Sequence, residues 1–199
     1  HGQKPKPIWY PTRPTYQIPM NIYRDHINRK FSQHLKSSHE LHQWSVEYPQ
    51  DFWTDLYAYT RIIPPLPPTV TTAYDPSVPM KDVPKFFGGV RLNYAENVLF
   101  GRDPNKTALI GIREGQGLSG EVWTWGTLTE NVRQARSALV RHGVQPGDRI
   151  AAIISTSVWS VGLFLATASI GAIWTSISPD LGAEVSTPPG LSWIRADKV

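Results

Sequence analysis

The 199-residue chain is long enough for one large domain or one and a half, and its apolar fraction of 40%, with eight tryptophans and eight tyrosines, can fill a core. Its net charge of +4 comes from Lys and Arg interspersed with acids, a pattern that disfavours a nucleic-acid partner. The lack of cysteine excludes disulfides and thiolate metal sites, and the polar, proline-rich start predicts no secretory signal, so we expect a cytoplasmic protein.

Residues 1–63 are predicted to form a helical extension. Asn21 is a candidate N-cap for the first helix. Ser37 with Glu40 three residues later has the capping-box pattern that opens a second helix, and Pro49 begins a third. We interpret the apolar stripe of the third helix as packing against the main domain rather than as a cofactor site. The predicted apolar positions are Ile22, Ile27 and Phe31 in the first helix and Phe52, Trp53, Leu56 and Tyr57 in the third.

Residues 64–82 begin with the run Pro64-Pro65-Leu66-Pro67-Pro68. Proline lacks an N–H and fixes φ, so this run cannot form a helix or a central strand. We predict a stiff, extended connector. A docking site for a proline-recognising partner is the less favoured alternative.

Residues 83–199 have the pattern of a partial α/β domain. A short amphipathic helix is predicted over 92–99, and strands are predicted over 107–112 and 121–124. The glycine-rich loop 114–120 between the strands predicts a hairpin. Its glycines match a phosphate-binding loop only weakly, because a strand and not a helix follows it.

A longer helix follows the hairpin. Either Thr124 or Thr127 is positioned to cap it, and Gly143 is positioned to end it. Pro146-Gly147-Asp148 then predicts a turn into the next strand. The predicted buried face of this helix comprises Leu128, Val132, Ala135 and Leu139.

The thirty residues from Ile150 to Pro179 contain no charged side chain. Residues 158–177 are therefore long and apolar enough to suggest a membrane anchor. The segmentation favours another interpretation: a strand over 149–154, a buried helix ended by Gly171 and a second strand over 172–177. Such a βαβ unit, together with the missing Lys and Arg clusters at its flanks, predicts buried structure and no membrane partner.

The predicted fold class is therefore α/β: an N-terminal helical cap segment, then an incomplete, mainly parallel sheet with flanking helices and a β-hairpin. Ligands of such sheets gather beyond the carboxyl ends of the strands. This rule selects the loops Ser155-Thr156-Ser157 and Ser178-Pro179-Asp180. A purely structural role, in which the serines cap the helix and Asp180 turns the chain, is the favoured alternative.

Several segments of the chain resemble known enzymes. Gly143 to Ala151 and Leu165 to Ala172 are similar to the adenylate-forming acyl-CoA synthetase superfamily. The resemblance narrows to acetoacetyl-CoA synthetases through the pieces Phe87 to Asn97, Ser169 to Trp174 with Ser178 to Asp180, and Leu41 to Val46 with Pro49 to Trp53.

The resemblance implies a ligase that joins acetoacetate to coenzyme A through an acyl-adenylate made from ATP, with Mg²⁺ and a positioned Lys stabilising phosphate charge. It places Ser178 and Asp180 where related enzymes approach coenzyme A, so these two are the candidate cofactor-binding residues. It assigns no catalytic residue and no metal ligand to this chain.

The family's Ser/Thr/Gly-rich phosphate loop and its catalytic Lys are not found, and the segment Ser186 to Gly190 departs from the family's helix. We therefore expect an N-terminal fragment that is inactive alone and binds no ligand tightly. The alternatives are a non-catalytic interaction or nucleotide-binding module, a fragment of a related short-chain acyl-CoA synthetase, and a membrane protein anchored by 158–177. The uncovered strands also predict an apolar edge that promotes aggregation.

Overall fold

A computed structural model describes Thr12 and residues 14–115 and 120–179. The chain divides into two compact units, unit 1 up to Val90 and unit 2 from Arg91. Across the described residues, every helix is too short or too polar to cross a membrane.

Unit 1 is built from helices and loops. Its described α-helices are α1 (Pro19–Lys30), α2 (Ser38–Glu47) and α3 (Pro49–Tyr59), with short 3₁₀ turns at Thr15–Gln17 and Met80–Asp82. The three predicted helices of the N-terminal extension are therefore present.

The helix starts show two departures from the predicted caps. The N-cap of α1 is Ile18, followed by Pro at N1, so Asn21 lies inside the helix and is not its cap. A proline at N1 suits a helix start because its missing N–H would have no intrahelical partner. Ser37 caps α2 by accepting from the Glu40 N–H at 3.2 Å, but the Glu40 carboxylate accepts from the Lys36 N–H at 2.7 Å. The return bond of the capping box is thus shifted by one residue.

The apolar core of unit 1 has two clusters. The first buries Tyr23, Ile27, Leu41 and Trp44, against which Phe31, Phe52 and Leu56 pack. The second buries Tyr57, Ala73 and Phe87. The prediction that Ile22 lies on the packed face of α1 is wrong, because its side chain is 42% exposed. Tyr23, one residue later, takes the buried position in the helical repeat.

The proline-rich segment packs onto α3. Leu66 and Val70 lie against the second cluster, and the Tyr57 hydroxyl donates a hydrogen bond of 2.5 Å to the Pro64 carbonyl. Residues 61–79 contain neither helix nor strand, as the prolines predict. The segment is therefore irregular in backbone but anchored by side chains.

Unit 2 is a mixed α/β structure. In chain order, its described elements are α4 (Tyr94–Leu99), β1 (Thr107–Gly111), β2 (Glu121–Thr124), α5 (Trp125–Arg141), β3 (Arg149–Ile153), α6 (Val158–Ile170) and β4 (Ile173–Ile177). The helices and strands predicted from residue 83 onward are present, with bounds that differ by a few residues.

The hairpin is antiparallel, with Ile110 paired to Val122. Thr124 ends β2 and caps α5, since its hydroxyl accepts from the Thr127 N–H at 3.1 Å. Of the two candidate caps, the structure therefore selects Thr124.

The charge-free stretch forms the predicted βαβ unit. Strands β3 and β4 pair in parallel, and Gly171 ends α6 with φ of 84°, a conformation that glycine adopts without strain. The membrane-anchor alternative is wrong, because α6 has only 13 residues and a strand follows it. The α/β fold class with an antiparallel hairpin and a parallel pair is confirmed.

Helix α6 lies at the centre of unit 2. Val158, Leu165 and Ala166 are buried in one cluster with Trp123 and Leu128. Gly162 allows the close approach of the Trp123 ring, since a Cβ at this position would lie 3.3 Å from the ring carbon Cζ3. The apolar residues of this helix therefore pack mainly against protein, while Trp159 is 44% exposed.

Candidate functional site

The carboxyl ends of β3 and β4 lie side by side at the same end of the parallel pair. Ile153 is paired with Ile177, and the Ile154 N–H donates to the Ile177 carbonyl at 3.1 Å. The loop that begins at Ser155 and the residue Ser178 therefore leave the sheet side by side. This arrangement is the one from which α/β proteins present ligand-binding groups.

Of the two predicted cofactor-binding residues at these strand ends, the structure describes only Ser178. Ser178 is exposed directly after β4. Asp180 lies outside the described residues, so the structure does not bring the two together. In the neighbouring loop, Ser155 and Thr156 are exposed.

Ser157 has a structural role. Its hydroxyl accepts from the Ser160 N–H at 3.3 Å, and the Ser160 hydroxyl accepts from the Ser157 N–H at 3.2 Å. This reciprocal pair is a capping box for α6 and satisfies two N–H groups that the helix itself leaves unpaired. The capping role predicted as the alternative for this loop therefore holds for Ser157.

A cavity of about 340 Å³ opens beside the start of α6. It brings together a guanidinium (Arg113), a carboxylate (Glu121) and a hydroxyl (Thr156). The Glu121 carboxylate also accepts from the Trp123 indole N–H at 2.8 Å, which fixes its direction. These groups can hold a polar ligand by hydrogen bonds, but they contain no nucleophile held against a base, which covalent catalysis requires.

Mg²⁺ is the metal that the family resemblance implies. Within the described ranges, no group of three or more His, Asp or Glu side chains is placed to hold a metal ion. Mg²⁺ prefers carboxylate and phosphate oxygens in octahedral geometry. Mg²⁺ is commonly held by one or two carboxylates together with substrate phosphates, so such a site would be completed by the bound nucleotide.

Sequence reasoning missed a buried charge cluster in unit 1. The Asp55 side chain is 2% exposed, and its carboxylate Oδ1 lies 2.6 Å from Lys30 Nζ and 3.0 Å from His26 Nε2. His26 Nε2 also lies 3.1 Å from Oδ2. These contacts tie α3 to α1.

The pKa values in this cluster follow from burial and charge. Burial acts to raise the pKa of Asp55, but the hydrogen bonds from Lys30 and His26 outweigh it, so the pKa lies below the usual value. Burial and the nearby charge of Asp55 raise the pKa of Tyr23, whose hydroxyl has no well-formed hydrogen bond to a described residue. Asp55 is therefore an ionised structural group.

One sequence signal could have found this cluster. Asp55 lies three residues after Phe52 and one before Leu56, on the stripe that the helical period assigns to the packed face. His26 and Lys30, four residues apart, share a face of α1. An acid on a packed face opposite two basic side chains predicts a buried ion pair, since a buried charge requires a partner.

Residues 98–185 match the family model described as AMP-binding enzyme. The chain is 37% identical to acetoacetyl-CoA synthetase of Xenopus tropicalis over 177 residues, which is 89% of this chain and 26% of that protein. It is 32% identical to malonamoyl-CoA synthetase vrtB of Penicillium aethiopicum, over 91% of this chain and 26% of that protein.

A solved structure agrees with the sequence comparison. Acetoacetyl-CoA synthetase from Streptomyces lividans matches with a TM-score of 0.74 and 26% identity, over 86% of this chain and 26% of that one. The chain thus spans about a quarter of the length of the relatives it matches, in agreement with the predicted fragment.

Proposed function

Starting from its similarity to acetoacetyl-CoA synthetases, which covers 89% of its length, we propose that this chain is the N-terminal part of an ATP-dependent ligase that joins acetoacetate to coenzyme A. The single observation that supports this best is that the similarity extends through unit 1 as well as unit 2. The AMP-binding match covers residues 98–185 only, whereas the acetoacetyl-CoA synthetase matches also cover the helical extension.

The proposed reaction has two steps. The carboxylate of acetoacetate attacks the α-phosphorus of ATP, and pyrophosphate leaves. The thiol of coenzyme A then attacks the acyl carbonyl of the adenylate, loses its proton, and AMP leaves. Positioned cations that meet the developing phosphate charge supply most of the rate enhancement in such steps.

In this proposal, the chain builds one wall of the site and performs neither chemical step. Ser178 and Asp180, after β4, would lie where coenzyme A approaches, and Ser155 and Thr156 would line the same edge. The groups that hold the phosphates and the metal would come from sequence other than these 199 residues. We therefore propose that the isolated chain does not catalyse the reaction and binds ATP, coenzyme A and Mg²⁺ weakly.

We propose the domain organisation that the sequence predicts: residues 1–63 form a helical extension, 64–82 a connector and 83–199 a partial AMP-binding domain. We also propose a cytoplasmic location, where the thiol of coenzyme A stays reduced.

A related acyl substrate is the second candidate. The Penicillium relative is named for malonamoyl-CoA, and it matches 91% of this chain. Malonamate and acetoacetate both carry a carbonyl two carbons from the carboxylate, so an acyl pocket of one shape could accept either.

A chimera tests the proposal. This chain would replace the matching segment of the Xenopus tropicalis enzyme, and acetoacetate-dependent exchange between ATP and pyrophosphate would be measured. We expect exchange with the chimera, faster with acetoacetate than with malonamate, and none with the 199-residue chain alone. A folded chimera without acetoacetate-dependent exchange would contradict the proposal, and so would exchange by the chain alone.

The same chimera tests the coenzyme A residues. Ser178→Ala and Asp180→Ala should raise the KM for coenzyme A in the complete reaction and leave the pyrophosphate exchange unchanged, because that half-reaction needs no coenzyme A. Ser176→Ala, on the exposed part of β4, is the matched control. Equal effects of all three variants would contradict the assignment of Ser178 and Asp180 to coenzyme A binding.

A further inference from the structure

The run Pro64 to Pro68 exposes its prolines and half-buries the one residue between them. Leu66 packs against the second apolar cluster of unit 1, which buries Tyr57 and Phe87. The four prolines are exposed to solvent. The run is thus held on unit 1 by its leucine, and its proline rings are left open to another molecule.

Burial repeats every three residues along this run. Ile63 and Leu66 are half-buried, and two exposed prolines follow each of them. A polyproline II helix has three residues per turn, and proline fixes φ near the value that this helix requires. Ile63 and Leu66 therefore share the ridge that faces the protein, whereas the other two ridges consist of prolines alone and face solvent. These two ridges are Pro64 with Pro67 and Pro65 with Pro68.

Hydrogen bonds fix both ends of the run. The Tyr57 hydroxyl donates to the Pro64 carbonyl at 2.5 Å, and the Val70 N–H donates to the Pro67 carbonyl at 2.9 Å. Because Leu66 is packed between these two contacts, the prolines keep their positions before any partner arrives. A segment that is ordered in advance loses little conformational entropy on binding, which favours affinity.

A basic side chain lies just before the run. Arg61 is exposed three residues before Pro64, and it takes no part in the ion pairs found among the described residues. Its φ of 57° places it in the turn after α3 rather than on a proline ridge. A free guanidinium beside exposed prolines favours a partner with carboxylates next to its proline-binding groove, because arginine pairs well with carboxylates.

Grooves lined by aromatic side chains bind polyproline II segments. We propose that Pro64 to Pro68, together with Arg61, form a docking site for a protein module of the SH3 type, whose aromatic groove has an acidic border. The sequence alone predicts a connector here; the exposed ridges and the unpaired Arg61 are what assign the run a partner. The site is independent of the proposed ligase, since none of its residues is placed in either chemical step.

A panel of recombinant SH3 domains tests the site. Each domain would be immobilised, and the 199-residue chain would be passed over it in a surface plasmon resonance assay. We expect reversible, one-to-one binding to members of the panel with acidic groove borders. Replacement of a groove tryptophan of a bound domain with alanine should abolish the signal. Absence of binding across the panel, or binding that survives the tryptophan replacement, would overturn the proposal.

The double variant Pro67→Ala/Pro68→Ala removes one proline from each solvent-facing ridge and should weaken binding at least tenfold. The matched control is Pro76→Ala/Pro79→Ala, which changes two exposed prolines of unit 1 that lie outside the run. This control should stay within twofold of the parent. Equal binding by the two double variants would overturn the proposal.

The charge reversal Arg61→Glu tests the acidic border and changes no proline, so it remains informative if the proline variant unfolds. It should weaken binding at least tenfold, and added salt should weaken the parent complex more than that of the variant, because salt screens the attraction between exposed charges. The control Arg29→Glu makes the same change at an exposed position of α1 and should stay within twofold. Equal effects of the two reversals would overturn the proposal.

The binding assays contain no ATP, acetoacetate or coenzyme A, so they separate this proposal from the proposed function. Binding to the panel together with an inactive chimera would retain the docking site and reject the ligase. An active chimera together with no binding to the panel would reject the docking site and retain the ligase.

Discussion

Substitution of Asp55 by Asn tests what holds the helices of unit 1 together. The Asp55 side chain is 2% exposed, and its carboxylate is the common partner of Lys30 and His26. Asn keeps nearly the same volume and one acceptor oxygen, so the substitution removes the charge without opening a cavity. Any loss of stability therefore reports on the charged hydrogen bonds between α1 and α3.

The expected loss follows from the exposure of the partners. Removing one partner of a fully buried ion pair costs about 3–5 kcal/mol, because the other charge is left buried. Here Lys30 is 51% exposed and His26 is 30% exposed, so both can turn to water after the substitution. Solvent screening reduces the value, and hydrogen bonds to charged groups contribute about 1.5–3 kcal/mol, so we expect a loss of about 1–3 kcal/mol.

Urea unfolding followed by far-UV circular dichroism measures this loss, with the transition of unit 1 fitted separately if two transitions appear. The control is Asp51→Asn, an exposed acid on the same helix, for which we expect about 0.5 kcal/mol or less. Equal losses for the two variants would refute the role assigned to Asp55.

The pH dependence provides a further check with a definite sign. The pKa of Asp55 is lowered in the folded chain, so its contribution is present above the unfolded pKa of about 3.9 and is lost as pH falls through the folded pKa. The stability difference between the parent and Asp55→Asn should therefore shrink as the pH falls through the folded-state pKa of Asp55. A difference that persists undiminished at the lowest pH would contradict an ionic contribution.

Three predictions concern α5. Thr124→Ala removes the hydroxyl that accepts from the Thr127 N–H and should cost about 1 kcal/mol in urea unfolding; a loss near zero would show that the cap is dispensable. Leu128→Ala empties a site that is 1% exposed and should cost about 2–5 kcal/mol in the same assay, whereas the exposed Val140→Ala should cost about 0.5 kcal/mol or less. Hydrogen bonds from Arg133, at 2.7 and 2.8 Å, and from Gln134 lower the pKa of Glu130 to about 2, so Arg133→Ala should raise that pKa in an NMR titration, and an unchanged titration would contradict the contact.

The backbone of unit 2 was predictable because its signals are local. Gly171 follows an apolar helical run and takes the left-handed conformation that ends α6. The hydroxyl of Ser157 precedes the same helix and caps it. Each signal depends on a few neighbouring residues, so no knowledge of the tertiary structure was needed. The sequence left open only whether Thr124 or Thr127 caps α5, and these two residues lie within one helical turn of each other.

The charge cluster and the site were less predictable, since both depend on residues far apart in sequence. Asp55 meets Lys30 across 25 residues, and only the packing of α3 on α1 brings them together. The residue type of Asn21 predicts a cap, but Pro19 starts the helix two residues earlier. At the strand ends, the periodicity predicted the edge where ligands gather but not the roles of Ser178 and Asp180, which remain proposals.

The charge-free stretch shows why composition does not decide between a bilayer and a protein interior. Both environments exclude charge, so thirty uncharged residues satisfy either. A bilayer requires about 20 residues in one helix, because its backbone must be satisfied within the segment. Here Gly171 ends α6 after 13 residues, and the backbone of β3 and β4 is satisfied by pairing between the strands. Trp123 on one side and Trp174 on the other then give this short helix an apolar protein environment.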